Sequence, residues 1–172
     1  PHTFYELLFD LCDSIASSGF TRICLLVGHA SNRPFVNTVV SQFMQQRGVR
    51  LLQLNYLFFG AETFARVRTT TGGDAHAGEL ETSVMMHLRP ELVKPVESAP
   101  RHPVDPVRDY GLSAAGSDLM RPGQATIGFD LKATFPDGVM GDPTVASAET
   151  GRQVFAAIVE GVLGVLDEYH EM

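Results

Sequence analysis

Cysteine is scarce in this chain, with only Cys12 and Cys24 among 172 residues. Their number and spacing match neither a zinc knuckle nor a C-x-x-C redox pair. They are expected to be two small buried hydrophobes in a protein of the reducing cytoplasm. Basic charge is also sparse: 13 Lys and Arg stand against 20 Asp and Glu, and they form no block. A nucleic-acid partner needs a basic stripe to neutralise phosphates, so the net charge of −7 argues against one. No apolar run approaches the roughly 20 residues of a membrane span, so no membrane partner is expected. What is present is ample apolar material, 44% hydrophobic against 19% charged. That suits a globular core, and the length suits a single domain over residues 1–172.

Periodicity organises the first third. Thr3 reads as a helix N-cap, and Phe4, Leu7, Leu8, Leu11, Cys12 and Ile15 recur at helical spacing on one face, up to Gly19. Thr21 to Val27 is a short continuous apolar run, the pattern of a parallel strand covered on both faces. A second helix carries Phe35, Val36, Val39, Val40, Phe43 and Met44 to Gly48, and Val49 to Leu54 reads as another buried strand. Helix, strand, helix and strand joined by short glycine turns predict an α/β fold with a mainly parallel sheet. In such sheets ligands bind beyond the carboxyl ends of the strands, where Gly28 to Asn32 lies.

The rest is more broken. Residues 56–71 have no clear period. Gly72-Gly73-Asp74-Ala75 is a turn leading into a short helix from about His76 to Leu88. Pro90, Pro95, Pro100, Pro103 and Pro106 predict a surface loop or an arm that contacts other subunits. Residues 125–135 are expected to hold a strand or two, and residues 137–144 a turn cluster. The last helix starts near Thr144 or Ser147 and is expected to bury Val154, Phe155, Ile158, Val159, Val162, Leu163 and Leu166.

Two of the six histidines stand where chemistry is plausible. His29 directly follows a strand on a loop of small residues, and His76 follows a Gly-Gly-Asp turn with Glu79 and Glu81 close behind. Histidine there can ligate a metal or move a proton at neutral pH. Equally, either could be a hydrogen-bonded structural histidine. His2, His87, His102 and His170 read as solvated or structural. Glu79 at i+3 shares a helix face with His76, whereas Glu81 at i+5 points elsewhere unless the helix begins later. Both carboxylates also suit a first helical turn for electrostatic reasons alone, and Asn32 could be an ordinary N-cap.

Three segments, in order, resemble the creatininase family. Gly28-His29-Ala30-Ser31-Asn32 is similar to its Asn-Gly-His-Gly-Gly-Asn motif. Asp74-Ala75-His76-Ala77-Gly78-Glu79-Leu80-Glu81-Thr82-Ser83 is similar to its His-Ala-Gly-x-x-Glu-Thr-Ser signature, most of all in the mycofactocin-type creatininase-like peptidases. Gly138-Val139-Met140-Gly141-Asp142-Pro143, followed by Ala146-Ser147-Ala148-Glu149 and a long helix, resembles the C-terminal pattern.

The resemblance implies a three-layer α/β/α sandwich, commonly homohexameric, with a dinuclear site for Zn, Mn or Fe. It implies an amidohydrolase that cleaves the C–N bond of a cyclic or otherwise unusual amide by metal-bound hydroxide. By position, His29 matches a metal ligand, His76 the catalytic acid/base and Glu81 the signature glutamate. Glu79 falls at a variable position and is a weaker catalytic candidate. Ala30, Ser31, Asn32 and Asp74 are candidates for substrate binding. Ser31 stands where creatininase itself has a glutamate ligand, which points to a biosynthetic or peptide-derived amide rather than creatinine.

The family's N-terminal Glu-x-His-Gly-x-His-Leu-Pro segment, with its following Asp, has no counterpart in this sequence. The chain opens Pro1-His2-Thr3 and enters a helix at once. An N-terminally incomplete domain is therefore expected, with the other ligands coming from an N-terminal fragment or companion chain, since a catalytic metal needs about three protein ligands. The alternative is a non-catalytic creatininase-like subunit or pseudoenzyme acting in binding or assembly.

Overall fold

A computed structural model describes residues 1–96, 118 and 130–172. The chain forms two compact units, Pro1–Phe59 together with Ile158–Met172, and Gly60–Ala157.

In the first unit, helix α1 (His2–Ser17) leads through Gly19, at φ +95°, into strand β1 (Ile23–Leu26). Helix α2 (Arg33–Arg47) then crosses to strand β2 (Leu51–Leu54), which lies parallel to β1. Ile23 pairs with Leu51 and Leu26 with Leu54, and the Val27 N–H donates to the Leu54 carbonyl at 2.8 Å. This β–α–β unit matches the element order read from the sequence. Its core joins Phe9 and Cys12 of α1, Val39 and Phe43 of α2, Ile23 and Leu51. The Phe9 and Phe43 rings lie 5.0 Å apart.

Several expectations need correcting here. Thr3 does not cap α1: the helix begins at His2, two residues earlier than a Thr3 cap implies, with Tyr5 N–H donating to the Pro1 carbonyl. The buried face of α1 also differs. Leu7 and Leu11 are more than half exposed and Ile15 is exposed too, while Phe9 is buried. The large Phe9 ring, seated on Phe43 and under the Arg47 guanidinium, sets the rotation of the helix. Strand β1 is covered on one face only among the described residues. Ile23 and Leu25 turn to the core, whereas Cys24 and Leu26 are exposed, so only Cys12 of the two cysteines is a buried hydrophobe.

In the second unit a 3₁₀ turn at Tyr56–Gly60 passes from the first unit into helix α3 (Ala61–Val67), followed by helix α4 (Glu79–Leu88). The strand expected within residues 125–135 is not found where it can be judged. Residues 125–129 and His102 lie outside the described residues, and Leu131–Thr134 is a helical turn, α5, whose Ala133 N–H donates to the Asp130 carboxylate. Helix α6 (Ala148–Glu171) begins in this unit and continues into the first. Ser147 caps it, its hydroxyl accepting the Thr150 N–H at 3.0 Å. Val154 and Ile158 are buried as expected, but Val159 and Leu163 are exposed. Helices α4 and α6 touch at Gly151, where a Cβ would lie 1.9 Å from the Ser83 carbonyl oxygen.

Candidate active site

His29 stands just past the carboxyl end of β1, as its place in the sequence suggests. The residues that follow do not behave as expected. Ala30–Asn32 is a 3₁₀ turn, and Asn32 is helical with no side-chain cap bond. His29 is the capping residue instead: its Nδ1 accepts the Ser31 N–H at 3.3 Å. His29, Ala30, Ser31 and Asn32 are all exposed.

His76, Glu79, Glu81 and Asp74 belong to the other unit, and there the geometry is dense. His76 is held on both sides by a bridge to Met140. Its N–H and that of Ala75 donate to the Met140 carbonyl at 3.0 and 2.8 Å, and its own carbonyl accepts the Met140 N–H at 2.7 Å. Ala77 follows at φ +48°, the only positive-φ non-glycine residue among those described. A left-handed alanine costs roughly 1–2 kcal/mol, so the chain is forced at the residue after His76.

Helix α4 starts at Glu79, later than expected, which removes the shared helix face of His76 and Glu79. Glu81 is turned to the loop instead. Its Oε2 accepts the Ala77 N–H at 2.6 Å and lies 3.6 Å from His76 Nδ1. The two side chains are 51% and 39% exposed, so the pair is open to a substrate.

Glu79 points inward and is fully buried. Its carboxylate accepts the Thr69 N–H (2.6 Å), the Thr70 N–H (2.8 Å) and the Thr70 hydroxyl (2.6 Å). Arg68 extends this network, donating to Thr70 Oγ1 and to the buried Asp118 at 2.8 Å while stacking on Phe64. Glu79 therefore ties the 69–70 segment to the start of α4. Glu79→Ala would empty a buried site and take the acceptor from half-buried donors of Thr70 and an exposed one of Thr69. Water can partly satisfy each of these, so the cost per donor is at the low end of about 1–3 kcal/mol. A loss of about 2 kcal/mol in urea unfolding is expected, with Glu79→Gln in between.

Asp74 is buried as well. Its Oδ1 accepts the Glu79 N–H at 2.7 Å and its Oδ2 the Leu80 N–H at 2.9 Å, satisfying the first amides of α4. Burial pushes its pKa up to about 6, against the opposing pull of those two N–H groups and of Arg68, with Asp118 adding to the rise. The folded state then holds a proton that the unfolded chain, near 3.8, has released. Stability therefore falls as pH rises from about 4 to about 6 and levels off above, by at most about 3 kcal/mol. Glu149, lowered to about 2 chiefly by Arg152, works in the opposite direction at lower pH. Subtracting the unfolding midpoints of Asp74→Asn from those of the natural chain over pH 4–7 isolates the Asp74 contribution.

Among the described residues no three His, Cys, Asp or Glu side chains are grouped to hold a metal ion. His29, the ligand expected from the sequence, is engaged at Nδ1 by the Ser31 N–H. Ligation through Nδ1 would replace its bond to Ser31, and ligation through Nε2 needs the Nδ1–H tautomer, which would have to give that bond up.

A family model described as Creatininase: Creatinine amidohydrolase matches residues 1–166. The chain belongs to the creatininase family. The mycofactocin precursor peptide peptidase of Mycobacterium ulcerans (strain Agy99) is 37% identical over 91 residues, covering 53% of this chain and 31% of that protein. The same peptidase of Mycobacterium tuberculosis (strain ATCC 25618 / H37Rv) is 37% identical over 92 residues, covering 54% and 32%. The chain thus spans about a third of the length of the curated relatives it matches. A crystal structure of creatinine amidohydrolase superposes with a TM-score of 0.74 at 22% identity, covering 96% of this chain and 62% of that one. A structure described as Creatininase Mn gives 0.74 at 22%, covering 97% and 63%. The fold is that of creatininase, an α/β fold, as the motifs implied.

Arg68, Thr69, Thr70, Ala77 and Gly141 were not singled out from the sequence as site residues. Ala77 and Gly141 left a signal, since both sit inside the quoted motifs, as does Gly78.

Proposed function

We propose that this chain is part of a metal-dependent amidohydrolase that cleaves the C–N bond of a cyclic or otherwise unusual amide. Family membership supports that reaction class. The observation that carries the reading is the His76–Glu81 pair, an exposed imidazole 3.6 Å from a carboxylate that is itself fixed by the Ala77 N–H. Such a pair can deliver a proton to a leaving nitrogen and take one from water. In this reading His29 is one metal ligand, and Ala30, Ser31 and Asn32 are substrate-binding residues. A divalent ion, probed first as Zn or Mn, would polarise the amide carbonyl and acidify water when bound. The described residues then supply one ligand, and an N-terminal segment or a companion chain would supply others. The relatives named as peptidases support a peptide-derived amide over creatinine, and the reading extends to a homo-oligomer. No described helix is long and apolar enough to cross a membrane.

Metal analysis of the protein purified from its natural host, with ligand identification and turnover of a panel of peptide amides beside creatinine, tests this. Stoichiometric metal on His29 together with amide cleavage is expected. Metal-free protein with no turnover would favour the second reading, a non-catalytic subunit or pseudoenzyme.

A further inference from the structure

The Asp74 carboxylate touches both ends of the loop that carries His76, and its partner segment too. Five residues on, it receives the Glu79 N–H, and one residue later the Leu80 N–H. A Cβ on Gly78 would fall 1.7 Å from Asp74 Oδ1, and one on Gly141 would fall 2.7 Å from it. Gly141 directly follows Met140, the residue whose backbone brackets His76. Gly141 also sits at φ +144°, a conformation that other residues rarely adopt. The carboxylate therefore closes a ring of chain from residue 74 to residue 80 and clamps it to residues 140–141. His76 lies on that ring, followed by the left-handed Ala77, whose N–H holds Glu81.

We propose that Asp74 is a positioning residue for His76: wedged between Gly78 and Gly141 and bonded to the first two amides of α4, it fixes the backbone that aims the His76–Glu81 pair. Both carboxylate oxygens are engaged in this way, in a buried setting, which suits a positioning role rather than a substrate contact. A buried carboxylate with two amide donors is rigid, and catalytic groups need such support to stay within a fraction of an ångström of their productive geometry. The inference rests on the reading of His76 as the group that moves the proton.

The test compares Asp74→Asn with Ser83→Ala, which removes a cap in the same unit (Ser83 Oγ accepts the Ser147 N–H). Asn keeps the size but turns an N–H₂ toward an N–H donor. Amide exchange of Ala77 is read in both, with kcat and KM on the peptide-amide panel. In Asp74→Asn, Ala77 protection is expected to fall about tenfold or more, and kcat about 100-fold with KM within about threefold. In Ser83→Ala, Ala77 protection holds. Unchanged Ala77 protection in folded Asp74→Asn overturns the proposal, as does a rise in KM alone, which marks a substrate contact. If Asp74→Asn does not fold, exchange in the natural chain decides. Ala77, Glu79 and Leu80 amides opening together, with one denaturant dependence, support the proposal, and a separate, easier opening of Ala77 overturns it. Absence of turnover in the natural chain defeats the amidohydrolase reading, while the exchange results still judge the role of Asp74.

Discussion

His76→Ala is expected to lower amide turnover by about 10²–10⁴-fold, the usual worth of a positioned acid/base, and to leave the metal content unchanged. The side chain is half exposed and its backbone is held by Met140, so truncation removes the imidazole without emptying a buried site. Metal should instead be lost from His29→Ala. Atomic absorption on both variants, beside steady-state kinetics, separates the roles. Loss of metal from His76→Ala would make His76 a ligand and remove it from the proton path. Glu81→Gln refines the picture, because a glutamine oxygen can still accept the Ala77 N–H while the negative charge facing the imidazole is gone. A fall in kcat smaller than that of His76→Ala, with little change in stability, is expected from a residue that orients its neighbour.

The β–α–β start was legible because each signal there is local. Glycines 19 and 48 adopt the left-handed conformation that ends helices, and the two apolar runs pair in parallel with α2 crossing between them. Faces were harder to read than elements. Counting apolar residues on α1 favours a face of Phe4, Leu7, Leu8, Leu11, Cys12 and Ile15. Cys12 and Leu8 do pack in the core, but the helix turns to bury Phe9 on Phe43 and leaves Leu7, Leu11 and Ile15 exposed. The strand at residues 21–27 reads as covered on both sides because apolar residues continue through it. In this chain one face of β1 carries exposed Cys24 and Leu26.

Among the candidate site residues of the second unit, the helix start decided which side chains meet. The position of Glu81 was open until the first helical residue was known. With α4 beginning at Glu79, the i+5 carboxylate folds back on the loop and the i+3 carboxylate is carried inward. The partners of Glu79 could not be read beforehand. Thr69 and Thr70 lie in a stretch without a period, and Arg68 meets Asp118 fifty positions away in the chain. Charge partners across such distances leave no periodic trace.

Gly78→Ala should be a strongly damaging single methyl group in the second unit, as should Gly151→Ala, whose Cβ would lie 1.9 Å from the Ser83 carbonyl oxygen. Gly78 sits at φ −89°, so the new side chain meets no backbone strain of the left-handed kind. The conflict is one of space. The Cβ would lie 1.7 Å from Asp74 Oδ1, 2.9 Å from Asp74 Cγ and 3.3 Å from the Gly141 Cα. Neither neighbour can yield cheaply, since the carboxylate is buried and bonded to two amides and the Gly141 backbone is tied to the His76 bridge. Overpacking alone costs about 1–3 kcal/mol, and expelling the carboxylate leaves helix-start amides unsatisfied at about 1–3 kcal/mol more. A total of about 2–6 kcal/mol is a large share of a domain's stability of about 5–15 kcal/mol. Gly138→Ala is the control: Gly138 has φ +79° with nothing within 4 Å of where its methyl group would sit, so only the left-handed strain of about 1–2 kcal/mol applies. Unfolding free energies from urea titration of the two variants should differ by about 2 kcal/mol or more. Equal losses would mean that Gly78 and Asp74 are less tightly packed than their geometry implies, and Asp74 could then not hold the His76 loop by shape.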